Sequence, residues 1–218
     1  MERSPEPRHT LYLSRATNDA FIINLVKPNA GLVPLYSVSH NAKMTKMEVR
    51  RTKCDAISTE HRPVGSIKTR TIPPRVDMAV RGVNFKMMRK HPLSSALSFR
   101  FLGAGEMRWE ELGKKGRGMR LIDFNGKTLA YFRPKLHVLG GGGGGGGGGV
   151  GYGSSPSAGG LNLKGSDINR AGRGPGFELH AALADLDLDL VVATGLAAAE
   201  HRRQLDESWD LMTSEEYE

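Results

Sequence analysis

Hydrophobic and polar positions alternate in short runs through the first two thirds of the chain. From Thr10 to Arg133 β-prone stretches are broken by turn residues, and no apolar stripe recurs at the 3.6-residue spacing of a helix. The runs predict strands at 10–14, 20–26, 32–40, 44–52, 64–71, 76–80, 84–89, 97–101, 106–111, 119–124 and 127–133. Strands recurring every ~8 to 12 residues point to a barrel or a sandwich. The clearest local signal is Asp123-Phe124-Asn125-Gly126-Lys127. Asn-Gly accepts the two positive φ values of a two-residue type I′ hairpin, so this turn predicts Leu121 opposite Ala130 and Ile122 opposite Leu129.

The pattern changes after Leu183. Leu186, Leu188 and Leu190 alternate with Asp185, Asp187 and Asp189, but the residues that follow, VVATGLAAAEHRRQ, are helix formers. A helix over 185–203 places three carboxylates in its first turn and His201, Arg202 and Arg203 in its last, as the helix dipole favours. Residues 190–199 carry no charge and are apolar or small on every side. A helix apolar all round must be buried, and ten residues, ~15 Å, cannot cross a hydrocarbon layer of ~30 Å. The helix needs a sleeve of protein, and Ala193, Gly195, Ala197, Ala198 and Ala199 would let strands come close to its axis.

Composition locates what does not pack. Ten consecutive glycines, Gly140 to Gly149, open a tract rich in Gly, Ser and Pro that extends to about Gly176. With no side chains to bury and the largest backbone entropy to lose, 140–176 is expected to be a flexible insertion. Residues 1–9 form a loose N-terminus, 10–205 one domain interrupted by that insertion, and 206–218 an acidic tail with six carboxylates and no base. The leading residues, MERSPEPRHT, contain no apolar run, and no stretch reaches ~18 uncharged apolar residues. The expectation is an intracellular, cytoplasmic protein able to touch a membrane only peripherally. The single cysteine, Cys54, excludes an intramolecular disulfide and a four-thiolate zinc site.

Charge is divided along the chain. Residues 1–139 hold 26 Lys and Arg against 11 Asp and Glu, a balance of +15, and residues 140–218 hold 5 against 12, a balance of −7. The basic side chains gather as Lys43, Lys46, Arg50, Arg51 and Lys53; Lys68, Arg70 and Arg75; Lys86, Arg89 and Lys90; and Lys114, Lys115, Arg117 and Arg120. Single cations spread along strands are also what a solvated sheet face looks like. Where they converge, such groups attract polyanions.

Catalytic and metal chemistry find little support. The seven histidines show no metal-ligand spacing, and the Asp185, Asp187, Asp189 ladder lacks the glycine and glutamate of a calcium loop. Gly-x-Ser-x-Gly is absent, and Gly165-Ser166-Asp167 lies in the glycine-rich tract. Cys54 has basic neighbours but no assignable base. Gly126-Lys127-Thr128 lacks the upstream glycine of a phosphate loop, where Leu121 stands, and Gly103-Ala104-Gly105 reads as a turn between strands. No cofactor and no enzymatic activity are expected.

Many strands followed by one apolar helix that must sit inside them resembles the tubby C-terminal-like fold, a closed antiparallel β-barrel around a buried C-terminal helix shared by tubby proteins, phospholipid scramblases and LURP-one-related proteins. The resemblance rests on Pro34-Leu35-Tyr36-Ser37-Val38-Ser39, Val64-Gly65-Ser66-Ile67, Met107-Arg108-Trp109, Leu121-Ile122-Asp123 with Asn125-Gly126-Lys127, and Leu188 to Leu196 followed by His201-Arg202-Arg203. Their order covers about 10–203 and looks closest to small fungal proteins of unknown function with this fold. The departure is the glycine-rich tract, which leaves only Phe177 to His180 for a strand before the helix. The resemblance transfers no catalytic motif; it implies binding of phosphoinositides or action at membranes.

Together these readings predict a non-enzymatic binding module for anionic phospholipid or phosphoinositide headgroups. Arg50, Arg51, Lys53, Lys86, Arg89, Lys90, Lys114, Lys115 and Arg117 are the candidate ligands of the anion. Lipid translocation of the scramblase type and nucleic-acid binding through the same basic surface are the alternatives. The second lacks interleaved aromatics, with 7 Phe, 2 Trp and 5 Tyr in the whole chain. The acidic tail could fold back on the basic body and weaken binding.

Overall fold

A computed structural model of the chain describes residues 7–27, 31–52, 62–70, 74–91, 94, 96–113, 118–137 and 173–214, with side chains other than those of 62, 137, 173 and 206–214. Twelve strands form a closed antiparallel barrel: β1 (His9–Arg15), β2 (Ala20–Lys27), β3 (Gly31–His40), β4 (Lys46–Arg51), β5 (Arg62–Arg70), β6 (Arg75–Val80), β7 (Val83–Arg89), β8 (Leu97–Phe101), β9 (Gly105–Glu111), β10 (Met119–Ile122), β11 (Thr128–His137) and β12 (Arg173–Leu179). Each strand pairs with its neighbours in sequence, and β12 closes the circle on β1 through Leu11 opposite Phe177. Closure leaves no strand edge open to other chains.

The strands form where the apolar and polar alternation predicts them. β6 shows it plainly: Val76, Met78 and Val80 are buried, whereas Arg75, Asp77 and Ala79 face outward. The one helix among the described residues, α1 (Leu188–Ser214), runs through the barrel. Every residue from Asp189 to His201 is buried, so the sleeve demanded by its apolar surface is present. Strands from around the barrel reach it. Tyr36 of β3 donates to Asp189 Oδ1 at 2.7 Å, and Trp109 Nε1 of β9 donates to Thr194 Oγ1 at 3.0 Å. Thr194 in turn donates its hydroxyl to the Leu190 carbonyl at 2.7 Å, so both polar groups are satisfied inside an apolar core.

Four local expectations are corrected. The helix starts at Leu188 rather than Asp185, because Asp187 takes the N-cap: its Oδ1 accepts from Leu190 N–H at 3.2 Å and its carbonyl from Val191 N–H at 2.9 Å. Asp185 is left in the preceding turn. At the other end the helix continues to Ser214, so His201, Arg202 and Arg203 lie mid-helix and no base occupies the last turn. Two of its side chains, Arg203 and Gln204, instead donate to the fully buried Glu200.

The β10–β11 turn is not type I′. Asn125 keeps a negative φ and only Gly126 is left-handed, at +81°. Asp123 accounts for the difference. Its Oδ1 accepts from Asn125 and Lys127 N–H at 2.9 and 2.8 Å, which closes a wider loop and shifts Ile122 opposite Thr128, while Leu121 opposite Ala130 is kept. The two-residue turn with both φ positive lies elsewhere, at Arg81 (50°) and Gly82 (80°), between the paired Val80 and Val83.

β12 takes in residues 173–176, the last four of the stretch read as an insertion. A Cβ at Gly176 would overlap the Leu11 carbonyl oxygen, so glycine there permits the close pairing that shuts the barrel. Residues 138–172 lie outside the described residues.

Candidate anion-binding surface

The period-two alternation sorts the basic side chains by face. On β4 to β7 the outward positions are Lys46, Glu48 and Arg50; Ser66, Lys68 and Arg70; Arg75, Asp77 and Ala79; and Asn84, Lys86 and Met88. Cations from three separate sequence clusters thus share one outer surface, six of them against two carboxylates. Arg50 pairs with Glu48 at 2.8 Å, and Arg70 and Arg75 both reach Asp77, at 2.5 and 3.1 Å. Lys46, Lys68 and Lys86 have no ion-pair partner among the described residues.

Register gives this surface its shape. Ser39, Glu48, Ser66, Ala79 and Asn84 are successive partners across β3 to β7, a row with short side chains at three of its five positions. The next row holds Lys46 directly opposite Lys68, followed by Asp77 and Lys86. The short row is the floor of an open trough of about 900 Å³ over β3 to β6, with Lys46 and Lys68 along one side and Arg81-Gly82 at the end near the helix start. Like charges directly opposite across a strand pair repel, and a bound anion between them removes that penalty.

Arg81 is held against a conformational cost. A non-glycine residue with positive φ is strained by about 1 to 2 kcal/mol. Its guanidinium pairs with Asp187, the helix cap, and lies 6.0 Å from the centre of the Phe101 ring. These contacts fix the arginine at the mouth of the trough.

The other candidate residues are distributed differently. Arg51 points to the helix start, where it donates to Asp189 Oδ1 at 2.9 Å beside Tyr36. Burial, with the Asp189 carboxylate adding to it, pushes the Tyr36 hydroxyl well above its ordinary range, so it remains a donor. This trio latches helix to barrel. Arg89 and Lys90, adjacent in sequence, diverge: Arg89 is half-buried on the inner side of β7 and its charge acts on His201, whereas Lys90 pairs with Glu106 at 2.5 Å. Lys53, Lys114, Lys115 and Arg117 lie outside the described residues, as do Cys54 and Gly165-Ser166-Asp167, and Arg120 is held by Glu110 at 3.1 Å. The trough cations Lys46, Lys68 and Arg81 were not among the candidates; strand alternation, applied to every lysine and arginine, was the signal that could have found Lys46 and Lys68.

Among the described residues no group of three or more His, Cys, Asp or Glu could hold a metal ion, and no helix is long and apolar enough to cross a membrane. No family model, no curated protein and no solved structure matches this chain.

Proposed function

We propose that this chain is a non-enzymatic binding module of the tubby C-terminal-like kind, acting peripherally at cytoplasmic membranes, and that it holds anionic phospholipid headgroups in the trough over β3 to β6. The observation that carries this reading is Lys46 opposite Lys68, two ammonium groups without ion-pair partners among the described residues, beside a floor where Ser39, Ser66 and Ala79 are short and the carboxylate of Glu48 is paired with Arg50. A phosphate between them would accept from both, with the Ser39 and Ser66 hydroxyls on the floor as further donors. Each basic side chain near an anionic membrane contributes about 1 kcal/mol, and the surface offers several. The outer positions of β4 to β7 carry no aromatic side chain among the described residues, so the stacking platform that single-stranded nucleic acid uses is missing from this face.

The test is co-sedimentation with phosphatidylcholine vesicles, alone and with added phosphatidylserine or phosphoinositide. Binding to the anionic vesicles alone is expected, weakening between ~50 and ~200 mM salt as screening grows. Lys46→Glu/Lys68→Glu should reduce the affinity by about tenfold or more, since two attractive charges become repulsive. Equal binding by this variant and the wild type would refute the trough as the site.

A further inference from the structure

We infer that Leu102 and Phe124, at the tips of two neighbouring hairpins, insert into the interfacial layer of an anionic bilayer and set the end of the barrel that faces the membrane. The inference rests on the anionic-lipid reading above and adds to it an apolar anchor and an orientation.

These are the two most exposed large apolar side chains among the described residues, at 84% and 71%. Scattered exposed apolar residues are ordinary on a protein surface. Here both sit at hairpin apices on one rim. Leu102 tops the β8–β9 turn and Phe124 the β10–β11 turn, and the Phe124 ring lies over the neighbouring turn, where a Cβ at Gly105 would be 3.3 Å from its Cδ1. The β6–β7 turn shares this rim, because alternate connections of an up-and-down barrel emerge at the same end.

That third turn brings the Arg81-Gly82 end of the trough to this rim, with Lys46 and Lys68 toward the other ends of their strands. Arg81 lines the trough and approaches the ring of Phe101, the residue before Leu102. Lys127, exposed, follows Phe124 in the same loop. The one carboxylate of the β10–β11 turn, Asp123, is occupied by the backbone N–H groups of Asn125 and Lys127. Exposed Leu and Phe bordered by Lys127 and by Arg81, whose charge Asp187 partly offsets, match the chemistry of an anionic membrane interface, where apolar side chains enter the acyl boundary and cations stay with the headgroups. Neutral or acidic partners lack one half of that match.

Phe124→Trp supplies a reporter at the tip. Its emission, taken as the difference from wild type, should shift to the blue and be quenched by brominated acyl chains in phosphatidylserine vesicles, and not in pure phosphatidylcholine. Leu102→Ser/Phe124→Ser should lower vesicle affinity about tenfold by removing the apolar contribution, with Tm unchanged because both side chains lie outside the core. An unquenched reporter, or a double variant that binds like wild type while Lys46→Glu/Lys68→Glu does not, overturns the tip and leaves the headgroup site standing. Absence of wild-type binding to any anionic vesicle overturns both. A dimer in sedimentation velocity that the double serine variant dissolves, with vesicle binding unaltered, assigns the tips to self-association and also overturns the inference.

Discussion

Gly195 sits where the helix passes between two aromatic rings. In a helix interior alanine is favoured over glycine by about 1 kcal/mol, so propensity alone makes Gly195→Ala stabilising. Packing reverses the sign. The new Cβ would overlap Phe177 Cε1 and lie 3.0 Å from Trp109 Cζ2. Phe177 cannot retreat, because Trp109 and Phe132 flank it with ring centroids 6.4 and 5.2 Å away. Overpacking of this kind costs about 1 to 3 kcal/mol, which exceeds the propensity gain at all but its lower limit. Gly195→Ala should therefore lower the urea midpoint; a rise would show that helix propensity governs this position. The need for small residues here was legible in the sequence, since a helix apolar all round invites close approach. The identity of the rings was not, because Trp109 and Phe177 come from strands that only barrel closure brings together. The basic residues divide likewise: Arg89 and Lys90 look like one cluster in the sequence, but Arg89 is half-buried at the end of β7 and Lys90, just past the strand, is exposed and pairs with Glu106.

At the scale of elements, the first eleven strands stand near their expected positions because alternation is a local property of the chain. β12 was hardest to see, lying at the end of a glycine-rich tract with glycines of its own at 174 and 176. The helix was legible as an element but not in its bounds. Its start depends on which of three aspartates caps it, and its far side on what packs around His201. Burial pushes that imidazole down to about 4, and the Arg89 guanidinium adds to the shift. In the unfolded chain the group has its ordinary value of 6.5. Between those values the unfolded state binds the extra proton, so the contribution is complete above about pH 6.5 and is lost as pH falls toward 4. At about 1.4 kcal/mol per unit, the loss is on the order of 3 kcal/mol. Nε2 of His201 is buried without a hydrogen-bond partner among the described residues, so His201→Leu orphans no described group on that atom. This variant should flatten the stability profile over that range in denaturant titrations at several pH values, the carboxylates being common to both proteins. An unchanged slope would mean that the acid sensitivity arises elsewhere.

For the whole molecule, the excess of base over acid becomes a surface only through the barrel. A meander places strands that follow one another side by side, so outward cations from β4 to β7 fall into rows. The trough exists because one row is short where its neighbour is long. Sequence clusters alone did not reveal this, since they mix inward and outward side chains and include Arg51, which latches the helix. The most direct measurement is amide chemical-shift mapping of the isotope-labelled full chain, titrated with a short-chain soluble phosphatidylserine. The account predicts saturable shifts centred on Lys46, Ser66, Lys68, Ala79 and Arg81, absent with the matching phosphatidylcholine and lost in Lys46→Glu/Lys68→Glu. Shifts centred on another face, or no shift, would contradict it.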